Sequence, residues 1–369
     1  MKLEIQKSIL QKALAIVQKG VTPRINPILT YLKLEIRNKR LDLTYSSDSL
    51  SLITTVDQES VIASEDGGVL IDAKTLNDIL RVLTEPVIKI EVFENTTTLI
   101  FDGVSEYKLP TVDVNEYPEL DFDPKGEVIL LKSDVFVDLV EQTSFAAATN
   151  DKRPLFTALN LNLEDGLLTA IAAEATRIAK KAVKVSSAAH FNINPEAKHI
   201  SEIVKILEGT KELKLSTDGK VLLIEVGKTK IRIKLLSGDY PTAQIARIIK
   251  LSTAISVEFE TEVVMQRISS VTALNDAQES RVRMLLKKGV VEFSSKNNQG
   301  GTSLSKILGV DYDGDQFDIY FNSIHTLQSI KGLKSKYVTF NFSGELKPFS
   351  LTNKSDPEVI QVLTPIRAV

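Results

Sequence analysis

Residue types that carry chemistry are sparse in this chain, and their spacing argues against a catalytic centre. There is no cysteine, and the three histidines, His190, His199 and His325, stand at unrelated places with no metal-ligand cluster around them. The acidic run "DYDGDQFD" from Asp311 resembles a calcium loop. Its glycine is the fourth residue instead of the sixth, and the twelfth position is Asn322, which cannot supply a bidentate carboxylate. It reads as an acidic turn. "GGTSLSK" from Gly300 lacks the phosphate-cradling spacing, and neither a dinucleotide "GxGxxG" nor a "GxSxG" nucleophile elbow occurs. The reading is a non-enzyme with no cofactor and no metal.

The elements that position these residues are more informative. At 369 residues the chain is too long for one hydrophobic core, so two or three domains are expected. A 43% hydrophobic and 25% charged composition is ordinary for a globular protein. The absence of cysteine fits a reducing compartment, and the opening "MKLEIQKSILQKALAIVQKG" has no long apolar run. No signal peptide, no membrane span and a cytoplasmic location are expected. A net charge of -3 gives no bulk sign of nucleic-acid binding. Any such binding must use charge segregated to one surface.

The sequence repeats itself. "PILTYLKLEI" from Pro27 and "PLFTALNLNL" from Pro154 share proline, threonine and two leucines in one register, offset by 127 residues. Strand-then-helix openings recur three times, at "LEIQKSILQKALAIV", "VILLKSDVFVDLVEQTSFA" and "ISVEFETEVVMQRISSV". Ser8, Ser133 and Thr261 stand at those boundaries, where a hydroxyl suits the first helical turn. A second strand-to-helix unit also recurs, with Asp72, Asn194 and Asn322 as candidate N-caps and Pro195 as a first-turn proline. Alternating strands follow each, with turns at Glu94-Asn95-Thr96, Thr217-Asp218-Gly219 and Ser343-Gly344-Glu345. Three α+β domains follow, 1–123, 124–250 and 251–369, joined near "EYPELDFDPKG" and "DYPTAQIARIIKLS". Each has two helices packed on antiparallel sheets.

Together, the three-block length, the "P-[IL]-[LF]-T-x-L-x-L" segment, the "DVNEYPEL" and "SGDYP" linkers and the "L-T-P-I-R" ending carry a family resemblance. From Met1 to Val369 the chain resembles the bacterial DNA polymerase III beta subunit, the sliding clamp. The resemblance implies the DNA clamp fold and a head-to-tail homodimer closed into a ring. Such a ring encircles double-stranded DNA without sequence specificity and tethers the polymerase catalytic subunit. An ATP-dependent clamp loader opens it, mismatch-repair and ligase proteins are further partners, and no membrane is involved. Encirclement needs only weak phosphate contacts, because topology prevents escape.

The six candidate helices together carry +3, against -6 elsewhere, although the helix over 134–148 carries -3. Lys7, Lys12, Lys74, Lys198, Lys331 and Lys334 are the expected helical contributors to a DNA-facing surface. By similarity, Arg24 and the segment Asn150-Asp151-Lys152-Arg153 also approach DNA. His199 and His325, in equivalent helices, are expected to be solvated or to face DNA.

The resemblance also implies a partner-peptide pocket between the second and third domains. Phe156, Ala173, Ala175, Thr176, Arg177 and Ile178 match its first side, with Pro241, Ile245 and Ala246 beyond the linker. Pro348, Val362, Thr364, Pro365, Ile366 and Arg367 match its second side. Ala175-Thr176 replaces a frequent Gly-His pair, and Thr364 stands where an apolar residue is usual. Arg177 and Arg367 are expected to bond peptide carbonyls or a carboxylate. For the ring interface, Tyr107 and Leu109 match one side, and Ala273 and Leu274 the other. A polysaccharide-binding or scaffold module would instead call for exposed aromatic platforms, yet Trp is absent and aromatics are 6%.

Overall fold

The computed structural model describes residues 1–22, 26–207, 209–250, 252–275 and 280–367. The duplicated decapeptide is a turn followed by a strand. Pro27–Thr30 and Pro154–Thr157 each form one 3-10 turn. The threonine hydroxyl closes each by donating to the proline carbonyl, at 2.8 Å for Thr30 and 2.7 Å for Thr157. Proline opens such a turn without loss, because its missing N–H would have had no partner there. The strands then begin, Tyr31–Arg37 and Asn160–Glu164, and alternation buries Leu32, Leu34 and Ile36 in one and Leu161 and Leu163 in the other.

Seven helices occur among the described residues: α1 (Lys7–Val17), α2 (Ala73–Val82), α3 (Ser133–Glu141), α4 (Ala197–Leu207), α5 (Thr242–Ile249), α6 (Thr261–Val271) and α7 (Ser323–Gly332). None is long and apolar enough to cross a membrane. Helix α5 lies where the sequence suggested only a linker. Ile245, Ile248 and Ile249 do fall at helical spacing, but the segment is only eight residues long and fully buries Ile245 alone, so it passes for a linker.

Two compact units divide the chain, and the division follows sheet pairing instead of chain order. One comprises Met1–Phe136 with Glu202–Leu235, the other Val137–Ser201 with Leu236–Val369. The first holds a five-stranded sheet, in the order Val61–Glu65, Lys2–Gln6, Val87–Phe93, Thr97–Phe101, Glu106–Pro110. It also holds an eight-stranded sheet, whose middle is the antiparallel pairing of Thr229–Lys234 with Leu50–Val56. The second unit has its own eight-stranded sheet, where Val359–Leu363 pairs Arg177–Lys184. Beside it lies a four-stranded sheet in the order Thr302–Leu308, Val290–Lys296, Arg281–Lys287, Phe317–Asn322. Phenylalanines fill the core of this second unit. Phe259 meets Phe340 edge to face with ring centroids 5.4 Å apart, and Phe342 and Phe349 close the cluster.

The helix starts correct one expectation and support another. Ser8, Ser133 and Thr261 do not cap. The first N–H of each helix donates instead to a carbonyl just ahead of a neighbouring strand: Lys7 to Pro86 at 2.8 Å, Ser133 to Lys211 at 3.0 Å and Thr261 to Lys336 at 2.9 Å. With that donor satisfied, the Ser133 hydroxyl is free to accept from Thr210. Asp72 and Asn322 do cap, accepting from the N–H of Thr75 at 2.7 Å and of His325 at 3.0 Å. Asn194 does not. It is buried, accepts from the Asn160 amide at 2.9 Å and donates to the Gly238 carbonyl at 3.0 Å. Pro195 precedes α4 and is not part of its first turn. Asp72→Ala should therefore lower the midpoint of urea unfolding by the equivalent of about 1 kcal/mol. An unchanged midpoint would show that the cap contributes nothing.

Candidate functional site

In the second unit, the hairpin of strands Leu167–Glu174 and Arg177–Lys184 sets Ala173 opposite Ile178, and the next ladder sets Ile178 opposite Val362. This row belongs to an apolar cluster with Ala158, Ile171, Tyr240 and Ile245. Phe156 leans on it, with its ring 6.5 Å from that of Tyr240 and the Arg153 guanidinium 4.1 Å above it. Burial pushes the Tyr240 phenol above its usual range. Pro241 is half-buried just ahead of α5, whose Ala246 is exposed. Pro348 precedes Phe349, which pairs with Leu363. Past Leu363 the chain is held by two backbone bonds. Thr364 donates to Thr176 at 2.9 Å and Ile366 donates to Tyr320 at 2.7 Å, which leaves Pro365 half-buried and Arg367 exposed.

The polar rim differs from expectation. Arg177 is not a free hand at the pocket: its side chain is 9% exposed and ion-paired with Glu174 at 2.6 Å. It also donates to the Gln328 side chain and stands 5.8 Å from the Phe145 ring. Burial lowers its pKa against the opposing pull of Glu174. His325 is half-buried and not isolated. Its Nδ1 lies 3.1 Å from the Thr176 hydroxyl and its Nε2 3.6 Å from Glu174. Burial and the Arg177 charge lower its pKa, with Glu174 opposing, so the imidazole is neutral near pH 7. Tyr240, Glu174, Gln328 and His325 thus stand at this candidate site although the sequence did not single them out for it. Tyr240 alone carried a signal, as the residue before Pro241 in a linker already singled out. His199 is buried at 5% exposure and is not a surface group.

The candidate DNA-facing cations divide in two. Lys12, Lys74, Lys152 and Lys331 are exposed and have no carboxylate partner among the described residues, and Asn150 is exposed beside them in sequence. Others are engaged. The Lys7 ammonium donates to the Leu83 carbonyl at 2.7 Å, closing the end of α2. Lys198 pairs with Glu196 at 2.6 Å and Arg153 with Asp151 at 3.3 Å. Lys334 meets two carboxylates of α3, Asp138 at 2.6 Å and Glu141 at 2.5 Å. Burial pulls against its charge, but the pair of carboxylates holds its pKa above the usual value. The same pairing offsets part of the negative charge expected of α3. Arg24 lies outside the described residues.

Tyr107 and Leu109 are half-exposed on Glu106–Pro110, the last strand of the five-stranded sheet. Ala273 and Leu274 are exposed after α6, and the Asn297 amide donates to the Leu274 carbonyl at 3.0 Å. Beside them runs Thr302–Leu308, an edge strand whose Leu304 and Leu308 are 60% and 76% exposed. Leu304 and Leu308 sit on the outward face while Ile307 packs inward on the core, so the strand did not stand out as an interface in the sequence.

A chain of three repeats, each pairing two strand-to-helix units with antiparallel sheets, is thus the class that the geometry defines. Three models of one family match in succession: the DNA polymerase III beta subunit N-terminal domain over residues 1–121, its central domain over 130–242 and its C-terminal domain over 247–367. The chain belongs to the DNA polymerase III beta subunit family. It is 26% identical over 379 residues to the beta sliding clamp of Bacillus subtilis, with 100% of both chains covered. It is 28% identical over 358 residues to that of Staphylococcus aureus strain Mu50, covering 95% of this chain and 94% of the relative. Among solved structures, the Bacillus subtilis DNA polymerase sliding clamp superposes with a TM-score of 0.94 at 25% identity, over 100% of both chains. Caulobacter crescentus pol III beta gives 0.91 at 23% identity over the same coverage, a likeness of fold.

Proposed function

We propose that this chain is a non-catalytic DNA polymerase processivity factor with three domains, 1–123, 124–250 and 251–369. Two copies close head to tail into a ring around duplex DNA, and polymerase and loader peptides dock in the apolar groove of the second unit. Lys12, Lys74, Lys152 and Lys331 supply weak phosphate contacts that permit sliding. Mismatch-repair and ligase proteins would share the groove.

One observation carries the ring: two of three equivalent strand seams are closed within the chain, and the third is left open. Leu3, Ile129 and Val257 each stand four residues before a helix and pair with Ile90, Leu215 and Phe340. Two further ladders lead from these to Tyr107, Ile231 and Gln361. On the other side, Leu34, Leu161 and Met284 lead across two ladders to Thr54, Lys181 and Ser305. The closed seams share one register, with Ile231 opposite Leu52 and Gln361 opposite Ala179. By the same rule, Tyr107 belongs opposite Ser303 of a second copy, and Leu109 opposite its Gly301. Edges that complement each other in this way are satisfied by a head-to-tail partner. Ser105 and Ser305 then fall where Thr54 and Thr229 join hydroxyls at 2.9 Å.

The test uses the absence of native cysteine. A Ser105→Cys, Ser305→Cys chain, loaded on nicked circular DNA and oxidised, should form a covalent dimer. That dimer should stay on the circle through salt that strips ordinary binders, and leave once the circle is cut. Equal loss from circular and linear DNA would overturn the reading.

A further inference from the structure

The outward face of the four-stranded sheet holds more positive charge than it neutralises. Val282, Met284, Val291 and Phe293 are buried on the inner face, so alternation turns their neighbours outward. Two carboxylates serve that outer face. Asp318 holds Arg283 at 2.9 and 2.5 Å, and Glu292 is shared by Lys287 at 3.2 Å and Lys306 at 2.8 Å.

Arg281 and Lys296 remain. Both are exposed, and neither has a carboxylate partner among the described residues. The ladder between their two strands ends at Arg283 with Ser294, so Arg281 and Lys296 each stand two residues past its last pair, on the same outward face. The Ser295 hydroxyl fixes that end by donating to the Arg281 carbonyl at 2.9 Å. Like charges at the same end of neighbouring strands oppose each other's approach. Here they line a groove with Ser294, Thr302 and Tyr320. A guanidinium fork, an ammonium group and two hydroxyls suit a tetrahedral oxyanion.

We infer that this groove binds a phosphate-class oxyanion that strengthens ring closure; the effect on closure rests on the seam proposed above. In that register Lys108 of a second copy falls opposite Thr302, which itself pairs Lys296. The row Arg281, Lys296, Thr302 thus continues into a third cation across the seam. Glu106, two residues before Lys108 on the same exposed face, falls opposite Leu304 and offsets part of this charge; an anion held by Arg281, Lys296 and Lys108 joins the rest of the row across the seam.

Sedimentation of the full chain over a concentration series, in chloride and in inorganic phosphate at equal ionic strength, tests this. Phosphate should move the monomer–dimer midpoint about tenfold lower in concentration, the scale of one charge-assisted contact. Lys296→Ala and Lys108→Ala should each abolish that difference while still dimerising in chloride, which separates the site from the general salting-out action of phosphate. A short single-stranded oligonucleotide in place of phosphate identifies the source: tightening by both assigns the site to a nucleic-acid phosphodiester, tightening by phosphate alone to the free ion. A wild-type dimer indifferent to both, or a Lys296→Ala chain that still responds, overturns this inference and leaves the ring standing. A monomer in every buffer sinks the ring itself.

Discussion

Leu109→Asp yields monomers. Leu109 lies on Glu106–Pro110 opposite Thr98, the strand with no further partner in its sheet. In the proposed seam it falls opposite Gly301 of a second copy, where the Asn297 side chain already fills the space a Cβ would take, its Oδ1 3.1 Å from that point. The Asn297 amide holds that corner together, since it donates to the Leu274 carbonyl while its Oδ1 accepts from the Gly301 N–H at 2.7 Å. A carboxylate there would be taken out of water with no cation to receive it. The cost of burying an unpaired charge is several kcal/mol, and each 1.4 kcal/mol is tenfold in affinity. The dimer dissociation constant should rise by about a hundredfold or more. Because Leu109 is only half-buried in the single chain, circular dichroism and thermal midpoint should change little. Sedimentation would show the monomer, and retention on circular DNA would vanish with it. A Leu109→Asp chain that still sediments as a dimer would mean that this edge is not the seam.

How far the sequence disclosed this arrangement depends on how local each feature is. The alternation of Leu32, Leu34 and Ile36, the caps at Asp72 and Asn322 and the turn at Glu94-Asn95 all rest on neighbours within a few residues. Glu94 and Asn95 do adopt positive φ, 49° and 58°, as a tight hairpin requires. Such features are written in the spacing. The partners that decide the sites are remote. Lys334 is neutralised by Asp138, 196 residues away, and Arg177 is occupied by Gln328, 151 residues away. No local pattern separates these cations from Lys12 or Lys74, which have no carboxylate partner among the described residues. The seams are remote in the same way, since Thr54 meets Thr229 across 175 residues. The repeat could nevertheless be read because it orders the elements three times. What it could not give was which strands remain unpaired after two seams close. The Gly-His pair replaced by Ala175-Thr176 illustrates both limits: an imidazole does stand at this rim, but it is His325, brought from α7 to the Thr176 hydroxyl.

Removal of Pro365 to Val369 has the second large effect, on partner docking and not on folding. The truncated chain keeps the ladder between Val359–Leu363 and Arg177–Lys184 and the bond from Thr364 to Thr176. It loses the bond from Ile366 to Tyr320, worth about 1 kcal/mol net, so the thermal midpoint should fall by only about 2–4 °C. The groove loses more. Pro365 and Ile366 are half-buried and follow directly on the strand whose Val362 belongs to the apolar cluster, and in the proposed groove they form the wall that apolar peptide anchors press against. Burying one such side chain against an anchor contributes about 1.5–3 kcal/mol, so binding of an apolar-anchor peptide should weaken by about a hundredfold. Fluorescence polarisation with a labelled peptide and polymerase extension on a primed circle would measure the two consequences. Ile366→Ser retains the backbone N–H and removes only the apolar wall, so it separates a lost contact surface from a loosened chain end. If both variants bind peptide as the intact chain does, the tail is no part of the docking groove, and the apolar row of Ala173, Ile178 and Val362 must hold its ligand without it.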